Sequence, residues 1–272
     1  MKAFVRGDVP RCRESSALTS PSSSLLQTEA AKSRAIDPLG FYADAIDTSD
    51  YAAAIGPVIR AAVGDVGDLL DIGAGGGQLG DVLRKPGGIW TTIEPSRLMG
   101  ERLARFSPPP AIVASGWRNA DVAEKFHDTV FAATMPAVLY DAERFLPRCL
   151  SWARRRVVWV VPSHHGPRGM ILAGCLPSEW HGEDETPGVD ITLGSLPAGS
   201  EPHSITKVDW TFTAIVADLR AMANYLAGRL KWPAEDPRRE ALFLHLKKQS
   251  RSHPNGHRLD IERQSAILVW RC

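Results

Sequence analysis

The chain has 272 residues, 44% hydrophobic and 23% charged, a composition with enough apolar material for a sizeable globular core. Its 32 basic and 31 acidic residues leave a net charge of +1, which excludes a global field for polyanions, and no apolar run reaches the ~18 residues of a membrane span. The start of the chain lacks an apolar stretch of signal-peptide length, and Cys12, Cys149, Cys175 and Cys272 show no paired spacing, so a cytoplasmic protein is expected rather than a disulfide scaffold or zinc ribbon.

Residues 1–33 read as a disordered Ser-rich tail, because SSALTSPSSS (15–24) cannot bury enough surface to offset its ordering entropy. Residues 34–64 form an N-terminal helical segment, with two short helices over 41–63 and Thr48, Ser49 and Asp50 as cap candidates. From 65 to 272 the pattern is that of one α/β domain. Strands are expected at 68–75, 89–95, 111–117, 128–136 and 156–163. Helices are expected at 77–85, 96–106, 120–126 and 142–155, the last kinked or delayed by Pro147. RVVWVVPS (156–163) is apolar on both faces, as buried parallel strands are. The alternation implies a parallel sheet with right-handed crossovers.

Regularity breaks in an insertion, 164–206, that contains EWHGEDETPG; a connection of that length inside a domain carries function or local order. Pattern returns with KVDWTFTAIV as a strand, helices over 216–232 and 237–251, a polar turn at HPNGH and a last strand over 262–271. The first of these helices offers an apolar stripe of Val216, Leu219, Met222, Ala223, Leu226 and Leu230, read as core packing. The basic set Arg238, Arg239, Lys247, Lys248, Arg251 and Arg258 reads first as a solvated face, and as an RNA contact only second.

The chemistry concentrates in LLDIGAGGGQLGDVLRKPGGIWTTIEPS. A strand runs into Gly73, Gly75, Gly76 and Gly77, and a helix follows; glycines permit a tight turn and close approach of a ligand to the backbone. Glu94 lies about 20 residues on, where a ribose-binding acid belongs. GGGQLG (75–80) fits the dinucleotide pattern G-x-G-x-x-G, so an NAD-dependent enzyme is one alternative. Asp71 argues against it, because a carboxylate two residues before Gly73 repels a pyrophosphate and suits a ligand with an ammonium group.

DIGAGGGQLG resembles motif I of the class I S-adenosylmethionine-dependent methyltransferases, D-x-G-x-G-x-G, with Asp71, Gly73, Gly75 and Gly77 at its fixed positions. TIEPS is similar to the family's second motif, with Glu94 as the ribose acid. The resemblance implies a seven-stranded, mostly parallel, doubly wound sheet of order 3-2-1-4-5-7-6, with the last strand antiparallel and helices on both faces. It implies S-adenosyl-L-methionine as cofactor. Its binding set would be Asp71, Gly73, Ala74, Gly75, Gly77, Glu94, Pro95, Gly116, Trp117, Thr134, Met135 and Tyr42. The acid that usually follows strand three is missing from ASGWRNAD, where Ser115, Gly116 and Trp117 stand and Asp121 is the nearest substitute. Trp117 is equally a core residue, and Asp121 a helix cap. TMPA (134–137) lacks the leading amide or acid and the aromatic of the amino-group methyltransferase motif, so nitrogen chemistry is not assigned.

The acceptor side is read from residue types alone. His164, His165 and His181 are the candidate bases, with Glu179, Trp180, Glu183, Asp184 and Glu185 near them. HGEDE also holds ligand types for a divalent ion, but contact with the acceptor is the first reading and no metal ligand is assigned. Tyr42 and Tyr51 stand ready to close over a cofactor, and Trp180 and Trp210 to line a planar acceptor. The function expected is methyl transfer to a small or medium-sized organic acceptor. The alternatives are an RNA or protein methyltransferase and a cofactor-binding protein without turnover.

Overall fold

Helix α1 (Pro38–Thr48) begins where the Asp37 carboxylate accepts a hydrogen bond from Leu39 N at 3.1 Å, with Pro38 in the first turn. Helix α2 (Tyr51–Val63) follows after Ser49 and Asp50. The coordinates are a computed structural model that describes residues 36–166 and 172–272. The Ser-rich tail expected over 1–33 lies outside the described residues.

After α2 come β1 (Leu69–Ile72), α3 (Gln78–Leu83), β2 (Trp90–Ile93), α4 (Arg97–Leu103), β3 (Ala111–Val113) and β4 (His127–Ala133). A 3-10 turn (Pro136–Asp141) leads into α5 (Ala142–Trp152) and β5 (Ala153–Pro162). Then come a 3-10 turn (Ala173–Cys175), α6 (Ser178–His181), α7 (Gly188–Gly194), β6 (Ser204–Val216), α8 (Leu219–Arg229), α9 (Arg238–Gln249), β7 (Arg251–His253) and β8 (Gly256–Arg271).

The sheet order is β3-β2-β1-β4-β5-β8-β6, parallel from β3 to β5 and antiparallel at β5–β8 and β8–β6. The short β7 folds back on the start of β8 as a hairpin, so eight strands are described where seven are expected, and β8 takes the place of the seventh. Apolar layers cover both faces of the sheet. One joins α1, α2, α8 and α9 to Leu69, Phe131, Val158, Trp210 and Phe212. The other joins α5 and α7 to Leu70, Ile72, Val130, Val157 and Trp159. Because side chains alternate along a strand, Asp71 faces the first layer while Leu70 and Ile72 face the second. No helix among the described residues is long and apolar enough to cross a membrane.

Several boundaries differ from expectation for identifiable reasons. Residues 120–126 form no helix. Their backbone is held by α5 instead: Trp152 Nε1 donates to Val122 O at 3.1 Å, Arg148 to Ala120 O, and Lys125 N to Ser151 O. Pro147 sits inside an unbroken α5; the carbonyl it leaves unpaired, that of Glu143, is on the exposed side and can turn to water. Asp218 caps α8 by accepting from Arg220 N and Ala221 N, so the helix starts at Leu219, and Val216 is a strand residue. Neither Thr48, Ser49 nor Asp50 caps α2 through its side chain. Ser49 Oγ and Asp50 Oδ1 instead accept hydrogen bonds from Thr213 N and Thr211 N of β6, at 2.8 and 2.6 Å. The span 164–206 holds α6, α7 and a 3-10 turn, and β6 and β8 both start earlier than their patterns suggest.

Replacing Trp152 with Phe keeps most of the buried ring but deletes the bond to Val122 O. The expected cost is about 1–2 kcal/mol. Hydrogen exchange should rise mainly in 120–126; a loss spread evenly over α5 and the sheet would contradict the bracing role.

Candidate functional site

Strand β1 is buried at all four positions and runs straight into the glycine turn. Gly73 N donates to Ile93 O at 2.7 Å, the last rung between β1 and β2, and the chain then turns through Gly73, Gly75 and Gly77 at φ of 63°, 56° and 83°. All three glycines of D-x-G-x-G-x-G are thus left-handed, which only glycine adopts at low cost. At Gly75 the reason is conformational alone, since a Cβ there would meet open space. At Gly73 a Cβ would also fall 2.8 Å from Met135 Sδ. Gly77 starts α3.

The carboxylates of Asp71 and Glu94 lie at the ends of adjacent strands and are 2% and 7% exposed. Glu94 is well provided: Oε2 accepts from Gly75 N at 2.9 Å and Oε1 from Ser96 N at 2.8 Å. Asp71 has less. Trp90 is close by, but its indole N–H makes no well-formed hydrogen bond, and Thr92 Oγ1, level with Asp71 in β2, is buried without a partner among the described residues. Burial first, and then the charge of Glu94, push Asp71 up to about 7 against a small opposing pull from Trp90.

A cavity opens above this floor, lined by Tyr42, Ala43, Ile46 and Tyr51 from α1 and α2, by Asp71 and the glycine turn, and by Phe131, Ala133 and Thr134 at the end of β4. Its volume is about 90 Å³. Among its described lining residues there is no lysine or arginine. Ligand pockets run to roughly 300–1,000 Å³, so this cavity is a tight one. Helix α1 is pinned where Arg102 binds Asp44 (2.9 Å) and Asp47, and where Gln78 binds Asp47. Tyr51 Oη lies 2.7 Å from Thr134 Oγ1, and Thr134 has φ 51°, a strained value for a β-branched residue. Burial pushes the Tyr42 phenol up to about 12 and the Tyr51 phenol higher still.

The structure therefore brings Asp71, Gly73, Ala74, Gly75, Thr134 and Tyr42 together at one cavity. Glu94, Gly77 and Met135 support its walls from behind. Pro95 and Gly116 are exposed, off the described lining. Trp117 packs edge-on against Phe145 at 5.1 Å, in the layer on the other side of the sheet, and carries Arg118 over its ring at 4.6 Å. None of the three histidines is among the described lining of this cavity. His164 binds Arg263, His165 is exposed, and His181 lies in the insertion with Nε2 3.3 Å from Glu185. Trp180 packs against Trp232 and His245. Within the basic set, Arg238 pairs with Asp236, Arg239 donates to backbone carbonyls and Arg258 pairs with Asp260. Among the described residues no three His, Cys, Asp or Glu side chains are placed to hold a metal ion. Sequence reasoning missed the cavity-facing role of Ile46 and Gln78 and the placement of Arg263.

The raised pKa of Asp71 makes a prediction about stability. An acid that ionises near 4 when unfolded and near 7 when folded contributes stability below pH 4, which is lost as pH rises through 7. Asp71→Asn escapes that loss. The variant should be more stable than wild type at pH 8 by about 1–3 kcal/mol, with the gain gone near pH 4. Thermal melts between pH 4 and 8 check this; parallel pH profiles for the two proteins would count against a buried, uncompensated Asp71.

No protein-family model and no curated protein matches the chain. Solved structures do match. A protein described as a type II methyltransferase from Anaeromyxobacter dehalogenans is 15% identical with a TM-score of 0.52, over 81% of this chain and 95% of that one. A protein described as a methyltransferase from Bacillus halodurans C-125 is 9% identical with a TM-score of 0.48, over 80% and 98%. Geranyl diphosphate C-methyltransferase from Streptomyces coelicolor A3(2) is 15% identical with a TM-score of 0.45, over 80% and 78%. At these identities the likeness is one of fold, and the fold is the Rossmann-like α/β fold of class I methyltransferases.

Proposed function

We propose that the chain binds S-adenosyl-L-methionine and transfers its methyl group to a small or medium-sized organic acceptor in the cytoplasm. The observation that carries this reading is the sign of the cavity. Its floor is a buried carboxylate, its described lining holds no cation, and the Gly75 amide points at Glu94 rather than into the opening. A pyrophosphate would meet Asp71 with that loop amide already taken, so the cavity favours a cationic ligand over a dinucleotide.

Asp71 would hold the ammonium group of the methionine end. The turn at Gly73, Ala74, Gly75 and Gly77 leaves room for the ligand beside the backbone. Glu94 keeps acceptor capacity for ribose hydroxyls beyond its two amide bonds, with Pro95 beside it. Thr134 and Tyr42 bound the opposite side, with Met135 behind them, while Gly116 and Trp117, expected on the side toward β3, lie off this cavity. When bound, the cofactor supplies an electrophilic methyl carbon on a sulfonium. The protein's own part is to orient the two reactants and exclude water, the latter through Tyr42, Ile46 and Tyr51. His164 Nε2 already accepts from Arg263, so an acceptor that is nucleophilic without deprotonation suits the site best. The same engagement of His164 favours, as a second reading, a protein that binds the cofactor without turnover.

Calorimetric titration with S-adenosylhomocysteine, with NADH in parallel, tests the reading. Micromolar binding of the first alone is expected. The ionised form of Asp71 binds the ammonium, so affinity should fall by about tenfold per unit below pH 7 and level off above pH 8. Asp71→Asn and Glu94→Gln should each weaken binding by about tenfold to hundredfold. NADH binding, or affinity indifferent both to pH and to these substitutions, would falsify the placement. Methyl transfer to any acceptor in a screen of small molecules separates turnover from binding alone.

A further inference from the structure

Arg263 is a mostly buried cation that the glycine-loop site does not use. It lies in β8, paired in register with Trp210 of β6, on the strand face that also carries Ile261 and Ile267. Among the described residues no carboxylate pairs with it. Its one hydrogen bond among the described residues runs from Nη1 to His164 Nε2 at 2.9 Å. A guanidinium only donates, so His164 accepts through Nε2, and the proton on its Nδ1 is donated to Gln264 O at 3.0 Å. Most of the guanidinium's five N–H groups are therefore uncommitted. Gly174 makes room for it: a Cβ there would fall 2.5 Å from both Nη1 and Nη2. Burial pulls its pKa below the ordinary value, against the opposing influence of Cys175 and Tyr42. An uncompensated buried charge is costly, and a bound anion removes the cost.

Arg263 is one of the residues that line a hollow of about 590 Å³, together with His164, Trp210 and Gln264. This hollow adjoins the glycine-loop cavity across one aromatic layer. Trp210 lines it and packs edge-on against Tyr51 at 4.7 Å, and Tyr51 lines the other cavity. Its remaining lining is acidic. Asp50 is bound by Thr211 N, Asp209 by Gln264 Nε2 at 2.8 Å, and Glu262 is exposed. Those three carboxylates repel extended polyanions and doubly charged groups. A carboxylate carries a single charge and matches the planar guanidinium in two parallel hydrogen bonds.

We propose that this hollow is the acceptor subsite and that Arg263 anchors a carboxylate group of a small acceptor. The word acceptor rests on the methyltransferase reading above; the anion site rests on the geometry of Arg263 alone. The acidic lining further favours an acceptor that carries an amine beside its carboxylate.

Benzoate, benzamide and phenyl phosphate, three probes of similar shape, are titrated separately into the full chain and followed by ligand-observed NMR. Benzoate should bind about tenfold tighter than benzamide and tighter than phenyl phosphate. The preference should vanish in Arg263→Gln and weaken in Arg263→Lys. It should also vanish in Gly174→Ala, where the added methyl displaces the guanidinium without removing its charge, so a poorly folding Arg263 variant does not end the test. Equal binding of benzoate and benzamide, no binding of any probe, or a preference that survives in both Arg263→Gln and Gly174→Ala overturns the site. Tighter binding of phenyl phosphate overturns the carboxylate assignment. Titration of the wild type with S-adenosylhomocysteine is scored separately. Its failure with the benzoate preference intact defeats the methyltransferase reading and with it the name acceptor, and the converse result defeats only the anion site.

Discussion

Asp71 and Glu94 end neighbouring parallel strands, and the protein keeps both almost out of water. Two adjacent buried carboxylates repel each other and lose hydration, so the surrounding chain is shaped to tolerate them. Glu94 is satisfied by two backbone amides, one of which fixes the middle of the glycine turn. Gly80, in α3, carries no side chain where a Cβ would run into the Asp71 carboxylate. The left-handed turn, the short helix after it and the small residue facing Asp71 all follow from placing that carboxylate at the mouth of β1. Asp71 remains the less satisfied of the pair and is the one that carries the strain of the site.

The cover over this floor comes from the start of the described chain, not from the sheet. Helices α1 and α2 bring apolar and phenolic groups over the cavity, and α1 is fastened to α4 by charged pairs and to α3 by the Gln78 amide. Exposed pairs of that kind contribute little each. The cover is held more by apolar packing, by Gly56 against Val82 and by Ile55 and Ile59 in the core, than by charge. Such a cover can close a site against water and still open at modest cost.

How far the sequence carried depended on whether local pattern and tertiary partner agreed. The β1–β5 alternation was legible because each buried strand is a short apolar run ending in glycine, proline or polar residues. Asp71 and the glycines were legible because their spacing answers to backbone conformation, which is a local property. Residues 120–126 misled because ADVAEKF has helical composition while its hydrogen-bond partners lie in α5, some 30 residues on. α6 has only four residues and α7 seven, too few for a period to emerge. The histidines were legible as chemistry but not as geometry. Nothing local announces that Nε2 of His164 is taken by a residue 99 positions away. Arg263 did leave a trace, a charged residue in the inward phase of IERQSAI, where Ile261 and Ile267 mark the buried face.

The contact of Ser49 and Asp50 with β6 has a meaning apart from the site. β6 is a 13-residue strand at the end of the sheet, and its outward amides at Thr211 and Thr213 are occupied by those two side chains. An uncovered strand of that length is a template for pairing with another chain. The turn between the two helices therefore also guards the sheet against self-association. A chain shortened past Asp50 would lose more than the roof of its cavity: it would acquire an adhesive edge.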